Sequence, residues 1–254
     1  MANAKVLVIG GGGSGASIDT RHEGGGGGAG GYIYDAAYPL VVQSYTITVG
    51  TGGAGAGPAY AQGITGNDSV AFGYTAKGGG GGKYNASNGA DGGSGGGAGT
   101  AAAGVGYNGG ASIGTPTQGN AGGSSYANDY YGGGGGGAGS VGGNGVAGSA
   151  GLGGSGLSNS ITGSSVTYCA GGDGGENSAS ISANRGHGSH ARNINGYSYA
   201  GSDGVVIVSA PQGVVTATGG TKTTSGGNDI WTFTSSGTWN VTVVATLVGQ
   251  MTII

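Results

Sequence analysis

Gly132-Gly-Gly-Gly-Gly-Gly137-Ala138-Gly139 is the stretch whose reading decides the fold. An α-helix through it is opposed by roughly 1 kcal/mol per Gly relative to Ala. A strand gains nothing from side-chain packing there. Two readings are left: disorder, or an extended threefold helix of the polyproline II type, with about 3 residues per turn and 3.1 Å per residue. With no Cβ on any face, such helices can stack side by side and bond N–H to C=O between neighbours. Similar runs recur at 10–15, 24–31, 78–82, 92–99 and 171–175.

Composition favours the ordered reading. Gly supplies 72 of 254 residues, but there are only 4 Pro and no Gly-X-Y period, which excludes collagen. Charged residues are 7%, low for a disordered chain, and 14 Tyr and 2 Trp are present. Ordering Gly costs about 0.5–1 kcal/mol more per residue than ordering Ala. Large side chains are too few to offset this with an ordinary core. A dense lattice of backbone hydrogen bonds, each worth about 1 kcal/mol net, is the remaining compensation. The fold class expected is mostly irregular/β: a bundle of stacked polyglycine II helices stapled by short antiparallel β-strands, with a C-terminal β module.

The net charge is −3 and the pI about 5.4, so no basic face for nucleic acid is expected. One cysteine, Cys169, excludes an internal disulfide framework. The N-terminus has no signal-peptide core of adequate length, and no stretch reaches the ~18 apolar residues of a membrane span. The expectation is synthesis in a cytoplasm, without an export signal of its own and without membrane insertion.

Taken in order, Lys5-Val-Leu-Val-Ile9 reads as a buried strand. With the glycines that follow it matches a dinucleotide fingerprint, but that motif needs a helix next. Ser17-Ile-Asp-Thr-Arg-His-Glu23 and five glycines leave no room for one. Tyr32-Ile-Tyr-Asp-Ala-Ala-Tyr38 reads as a polar-aromatic interruption. Ser44-Tyr-Thr-Ile-Thr-Val49, Ser69-Val-Ala-Phe-Gly-Tyr-Thr-Ala76 and Gly204-Val-Val-Ile-Val-Ser209 read as strands. Between 83 and 156, Gly runs alternate with short polar or Tyr-bearing links, a loose repeat of the kind that signals stacked architecture. Residues 212–254 change composition: Val214-Val-Thr-Ala-Thr218, Asp229-Ile-Trp-Thr-Phe-Thr234 and Thr238-Trp-Asn-Val-Thr-Val-Val244 alternate Thr with apolar residues. The division expected is residues 1–211, the glycine-rich bundle, and 212–254, a small antiparallel module serving as cap or attachment. Trp231, Phe233, Trp239, Val243 and Leu247 are its assembly-interface candidates.

No catalytic constellation is visible, and neither enzyme activity nor a cofactor is expected. His187 and His190 could share a metal, but no carboxylate or Cys nearby in sequence completes a set. Asp173 and Glu176 match no calcium-loop spacing. Cys169 reads as a small buried apolar residue. The informative chemistry is in the links, rich in Tyr, Ser, Asn and Gly like antibody recognition loops. Three groups stand out as receptor-contact candidates: Tyr126, Tyr130 and Tyr131; Arg185, His187, His190, Arg192, Tyr197 and Tyr199; and Tyr32, Tyr34 and Tyr38. The competing reading is that these tyrosines cap bundle ends and pack on each other.

The order Val6–Ile9 with its Gly run, Tyr45–Val49, Phe72 to the glycines after Lys77, Gly-rich filler, and Gly204-Val-Val-Ile-Val resembles the glycine-rich domain of bacteriophage tail proteins, over about residues 5–211. A motif placed before the first strand in that family, similar to HTFTSSGTFTV, stands here at the C-terminal end as Trp231-Thr-Phe-Thr-Ser-Ser-Gly-Thr-Trp-Asn-Val241. The shift raises the expectation that this segment joins the strand at 5–9. The composition is also similar to the polyglycine II adhesins of tail-fibre tips. The resemblance implies a virion protein whose loops bind a bacterial surface receptor, either a glycan or an outer-membrane protein, with other virion subunits as partners. The alternative is a non-adhesive decoration, coat or fibre subunit held by its C-terminal β module. Amide hydrogen exchange separates lattice from disorder: slow exchange throughout residues 78–156 is the expected result.

Overall fold

A computed structural model describes residues 2–17, 24–57, 60–100, 105–126, 130–175, 182–191 and 197–245. Among them there is no α-helix. Twelve strands occur: β1 (Asn3–Ile9), β2 (Tyr32–Pro39), β3 (Ser44–Ile47), β4 (Ser69–Ala71), β5 (Tyr74–Ala76), β6 (Leu157–Asn159), β7 (Val166–Tyr168), β8 (Val205–Pro211), β9 (Val215–Thr218), β10 (Thr221–Ser225), β11 (Asn228–Phe233) and β12 (Gly237–Val244).

They form a five-stranded sheet in the order β10-β11-β8-β1-β2, a three-stranded sheet β3-β12-β9, and two hairpins, β4-β5 and β6-β7, all antiparallel. The two larger sheets share one core. Val6, Val8, Val206, Val208, Trp231 and Phe233 meet Tyr45, Ile47, Val215, Trp239 and Val241. The rings of Trp231 and Trp239 contact edge-to-face at 5.3 Å. The opposite face of β1, β8 and β11 buries Leu7, Ile9, Val205, Ile207 and Ile230 against Ile161, Tyr168 and Cys169. Both faces of β1 and β8 are therefore covered, which is why their sequences are unbroken apolar runs rather than alternations.

The glycine runs form the bundle. Residues 24–31 show its geometry most plainly. Their successive N–H groups donate to Lys83, Gly133, Ser189, Gly80, Gly136 and Gly186, so that three neighbouring segments are addressed in turn and then again. Their carbonyls accept from residues 10–17, 93–100 and 169–175 in the same rotation: Ala16 and Gly13, Gly97 and Ser94, Gly175 and Gly172. A period of three in bonding direction is the signature of a threefold helix, and six segments surround this one. The helix is fully buried although it carries almost no side chains.

The strands and helices are continuous. β1 runs into 10–17, 24–31 runs into β2, β3 into 50–57, and 197–204 into β8. The sheets thus set the register in which these glycine helices start or end.

Several sequence expectations change. Tyr32–Pro39 is a full strand, not an interruption, because it pairs with β1 along its length. Ser69–Ala76 is a hairpin, turned at Phe72 and Gly73 with φ of 57° and 80°. Residues 212–245 are not a cap set on the end. β11 bonds to β8 within the main sheet and β12 lies between β3 and β9, so the 211/212 boundary marks composition and not packing. β11 does not pair with residues 5–9 directly; β8 lies between them. Trp231, Phe233 and Trp239 are core residues, at most 4% exposed, and offer no surface for assembly. Val243 is 50% exposed, and Leu247 lies outside the described residues.

A methyl group built on Gly134 would overlap the Leu152 carbonyl, and one on Gly136 the Asn120 carbonyl; on Gly237 it meets nothing within 4 Å. Gly134→Val is expected to cost more than the ~1–3 kcal/mol of ordinary overpacking, because backbone cannot rotate away as a side chain can. Gly237→Ala is expected to leave the melting temperature unchanged. Thermal unfolding of the two variants checks both.

Candidate recognition end and the histidine pair

Lateral hydrogen bonds place the links between helices at two opposite ends. Ser17 donates to Ala61, Gly175 to Gly24, Ser198 to Ala56, Ala86 to Thr100, Ser125 to Tyr107 and Tyr126 to Tyr131. These residues form the end farthest from the sheets, because each is the last described turn of a helix that leaves the sheet or the first of one that returns. The described residues next to 18–23, 58–59, 101–104, 127–129 and 192–196 all stand there.

Aromatic side chains collect at this end. Tyr60 and Tyr84 pack with centroids 5.4 Å apart, and Tyr84 sits against Ala16 and Ala191. Tyr197 is 57% exposed, its ring lying on Gly57, where a Cβ would collide with it. Glycine here makes a flat seat for an aromatic ring. Tyr126 and Tyr131 close their link by the backbone bond at 3.0 Å, and Tyr130 is exposed. Lys83 begins the link at 83–88, and burial holds its ammonium below the ordinary lysine range.

The candidate groups therefore divide. Tyr126, Tyr130, Tyr131 and Tyr197 are at the far end, with the exposed Tyr199 one step inward. Tyr32, Tyr34 and Tyr38 are on β2 at the sheet end. Tyr32 accepts a hydrogen bond from Asn159 at 2.8 Å, and Tyr38 packs on Tyr45, Phe72 and Tyr74. For Tyr38 and Tyr32 the packing reading holds; Tyr34 remains exposed. Tyr60 and Tyr84 were missed by sequence reading because each stands alone in its link. Arg192 lies outside the described residues.

The two histidines are structural in a specific way. A spacing of three puts both on one side of a threefold helix. His187 Nδ1 accepts the N–H of Ala170 at 2.9 Å, and His190 Nδ1 accepts that of Asp173 at 2.9 Å. The imidazoles stand where carbonyls of another helix would otherwise bond. Asp173 Oδ2 lies 3.3 Å from the same His190 nitrogen, the weaker of its two contacts. Among the described residues no three His, Cys, Asp or Glu side chains gather as a metal site. Cys169 is buried, with its thiol pushed far up by that burial, and carries no nucleophilic character. Arg185 stands at the sheet-proximal start of this helix, its carbonyl accepting from Cys169 N–H.

Burial, with the Arg185 charge adding to it, pushes the His187 pKa down to about 4 from 6.5. The folded state thus binds fewer protons than the unfolded state between these values. The associated stability is complete above pH 6.5 and is lost as the pH falls toward 4. The expected loss is up to about 3 kcal/mol. His187→Gln, which keeps an acceptor but does not titrate, should flatten the pH dependence of denaturant unfolding across this window.

Residues 1–211 match a family described as a glycine-rich domain. No curated protein and no solved structure matches the chain. The matched region includes every segment of the bundle, from the helix at 10–17 to the one that feeds β8. The chain belongs to the glycine-rich domain family.

Proposed function

We propose that this protein is a virion component of the phage tail-fibre or tail-tip type, whose links at the far end of the bundle bind a host-surface receptor. The observation that carries the reading is the placement of Tyr126, Tyr130, Tyr131, Tyr197 and Tyr199 at or near the end opposite the sheets. Tyrosines on short links between rigid helices offer large contact area at low entropy cost, with Ser and Asn for adaptable hydrogen bonds. The first described residues of β1 and the last of β12 lie at the opposite end: Leu40 bonds to Ala2, and Ala245 to Val214. A neighbour joined there leaves the tyrosine links unobstructed. The resemblance to phage tail domains supplies the virion setting.

A second reading, a non-adhesive structural subunit, is favoured by the exposed Val243 and by the open edges of β9 and β10. β10 carries Lys222, a charge that blunts an edge against pairing, so this reading ranks second.

Labelled protein applied to a panel of bacterial strains tests the choice. Saturable binding to some strains is expected. It should fall about tenfold or more, roughly 1.4 kcal/mol, when Tyr126, Tyr130 and Tyr131 are changed together to Ser. Tyr34→Ser, at the other end, should bind as the parent does. Binding that survives the triple change and falls with Val243→Asp would overturn the adhesive reading in favour of the structural one.

A further inference from the structure

A cleft of about 280 Å³ opens at the sheet end, where the β4–β5 hairpin faces the link that carries Thr115 and Pro116. Ile33, Tyr74 and Pro116 are the apolar side chains among its lining residues, and Thr75, Lys77, Thr115 and Gln118 the polar ones. We propose that this cleft binds a single neutral pyranose sugar. It lies away from the tyrosine links and stands independently of the receptor reading.

Four observations lead there. The first is size: the cleft admits one ring and falls below the usual range for drug-sized ligands. The second is that the walls are preformed. Tyr74 OH donates to Asp35 Oδ2 at 2.7 Å, which fixes the ring. Gln118 pins the base, accepting Lys77 N–H at 2.8 Å and donating to the Thr75 carbonyl at 2.8 Å. Little ordering remains to be done on binding.

The third is the division of polarity. A pyranose has an apolar C–H face and a rim of hydroxyls, and the lining sets Tyr74, Ile33 and Pro116 beside Thr115, Lys77 and Gln118. The Thr115 hydroxyl bonds to no other described residue, whereas Thr75 pairs across from Val70 and so lies on the face of the hairpin opposite Tyr74. The fourth is charge. Lys77 is the one cation in the lining, and Asp68 Oδ2 already answers it at 2.8 Å. Asp68 is itself fixed by accepting the Gly78 N–H at 2.8 Å. With its charge balanced, the cleft has no excess to draw an anion, and the spare ammonium protons are left as donors to hydroxyl oxygen.

The test is an amide-resolved NMR titration of the whole chain with glucose, galactose, mannose and N-acetylglucosamine. Glucuronate and inorganic phosphate serve as anionic probes. At least one neutral sugar should give saturable shifts centred on residues 33, 73–77 and 114–118, with Kd on the order of 1 mM. Thr115→Val, which keeps shape and backbone but removes a hydroxyl, should weaken that binding about fivefold with an unchanged melting temperature. The proposal is overturned if no neutral sugar saturates by about 100 mM, if only the anionic probes bind, or if the shifts fall elsewhere on the chain. It is also overturned if Thr115→Val, folded, binds as tightly as the parent. Should Thr115→Val fail to fold, the location of the parent's shifts decides.

Discussion

Everything in this protein depends on how closely one backbone can approach another. In an ordinary fold the side chains keep main chains apart, and hydrogen bonds run within a helix or along two edges of a strand. Here the helix at 24–31 bonds to six neighbours at once, because at every position but Ala29 no Cβ stands between them. The same absence makes each residue expensive to order. The structure resolves that conflict by satisfying nearly every buried N–H and C=O in the central helices. It does so with other backbone and not with water.

A lattice of this kind has an edge problem, as a sheet does. An outer helix has donors with no helix beyond to receive them. Side chains supply the missing acceptors. Asn88 accepts from Asn108, Asp91 from Ala111, Asn144 from Ser124, and Asp173 from Gly153. Each of these pairs spans twenty residues, the length of one out-and-back pass through the bundle. His187 and His190 do the same for Ala170 and Asp173, and Ser189 accepts from Gly15 while donating to the Tyr199 carbonyl. The sparse polar residues among the glycines are therefore lattice acceptors as much as surface groups. That explains why histidines spaced for a metal turn out to be bonded to backbone.

The β-sandwich is the part of the molecule built on ordinary terms. Its aromatic and branched residues bury apolar surface, the favourable term that the bundle largely lacks. Because strands and helices are continuous, the sandwich also fixes where two of the glycine segments begin and where two others end. The C-terminal strands are integral to this. Without β11 and β12 the main sheet would end at β8, and Val8, Val206 and Tyr45 would lose the indoles that cover them. A region of different composition thus completes the region that carries the family's sequence.

The sequence alone determined that glycine at nearly every position excludes helix and side-chain-packed strand. It also determined that the apolar runs at 6–9 and 205–208 mark strands, the first of them buried. These are local matters of sterics and hydrophobicity, and they are written residue by residue. What only the tertiary structure decided is which helix neighbours which, since glycine runs are interchangeable as partners and carry no pairing code. The same holds for Trp231 and Trp239, whose alternation with Thr reads equally as core or interface until a second sheet is seen to cover them. It holds for the tyrosines too. Tyr32 and Tyr38 are half-buried in packed surroundings while Tyr197 and Tyr199 stayed exposed, because burial depends on what lies opposite a side chain, and that is a property of the assembled lattice.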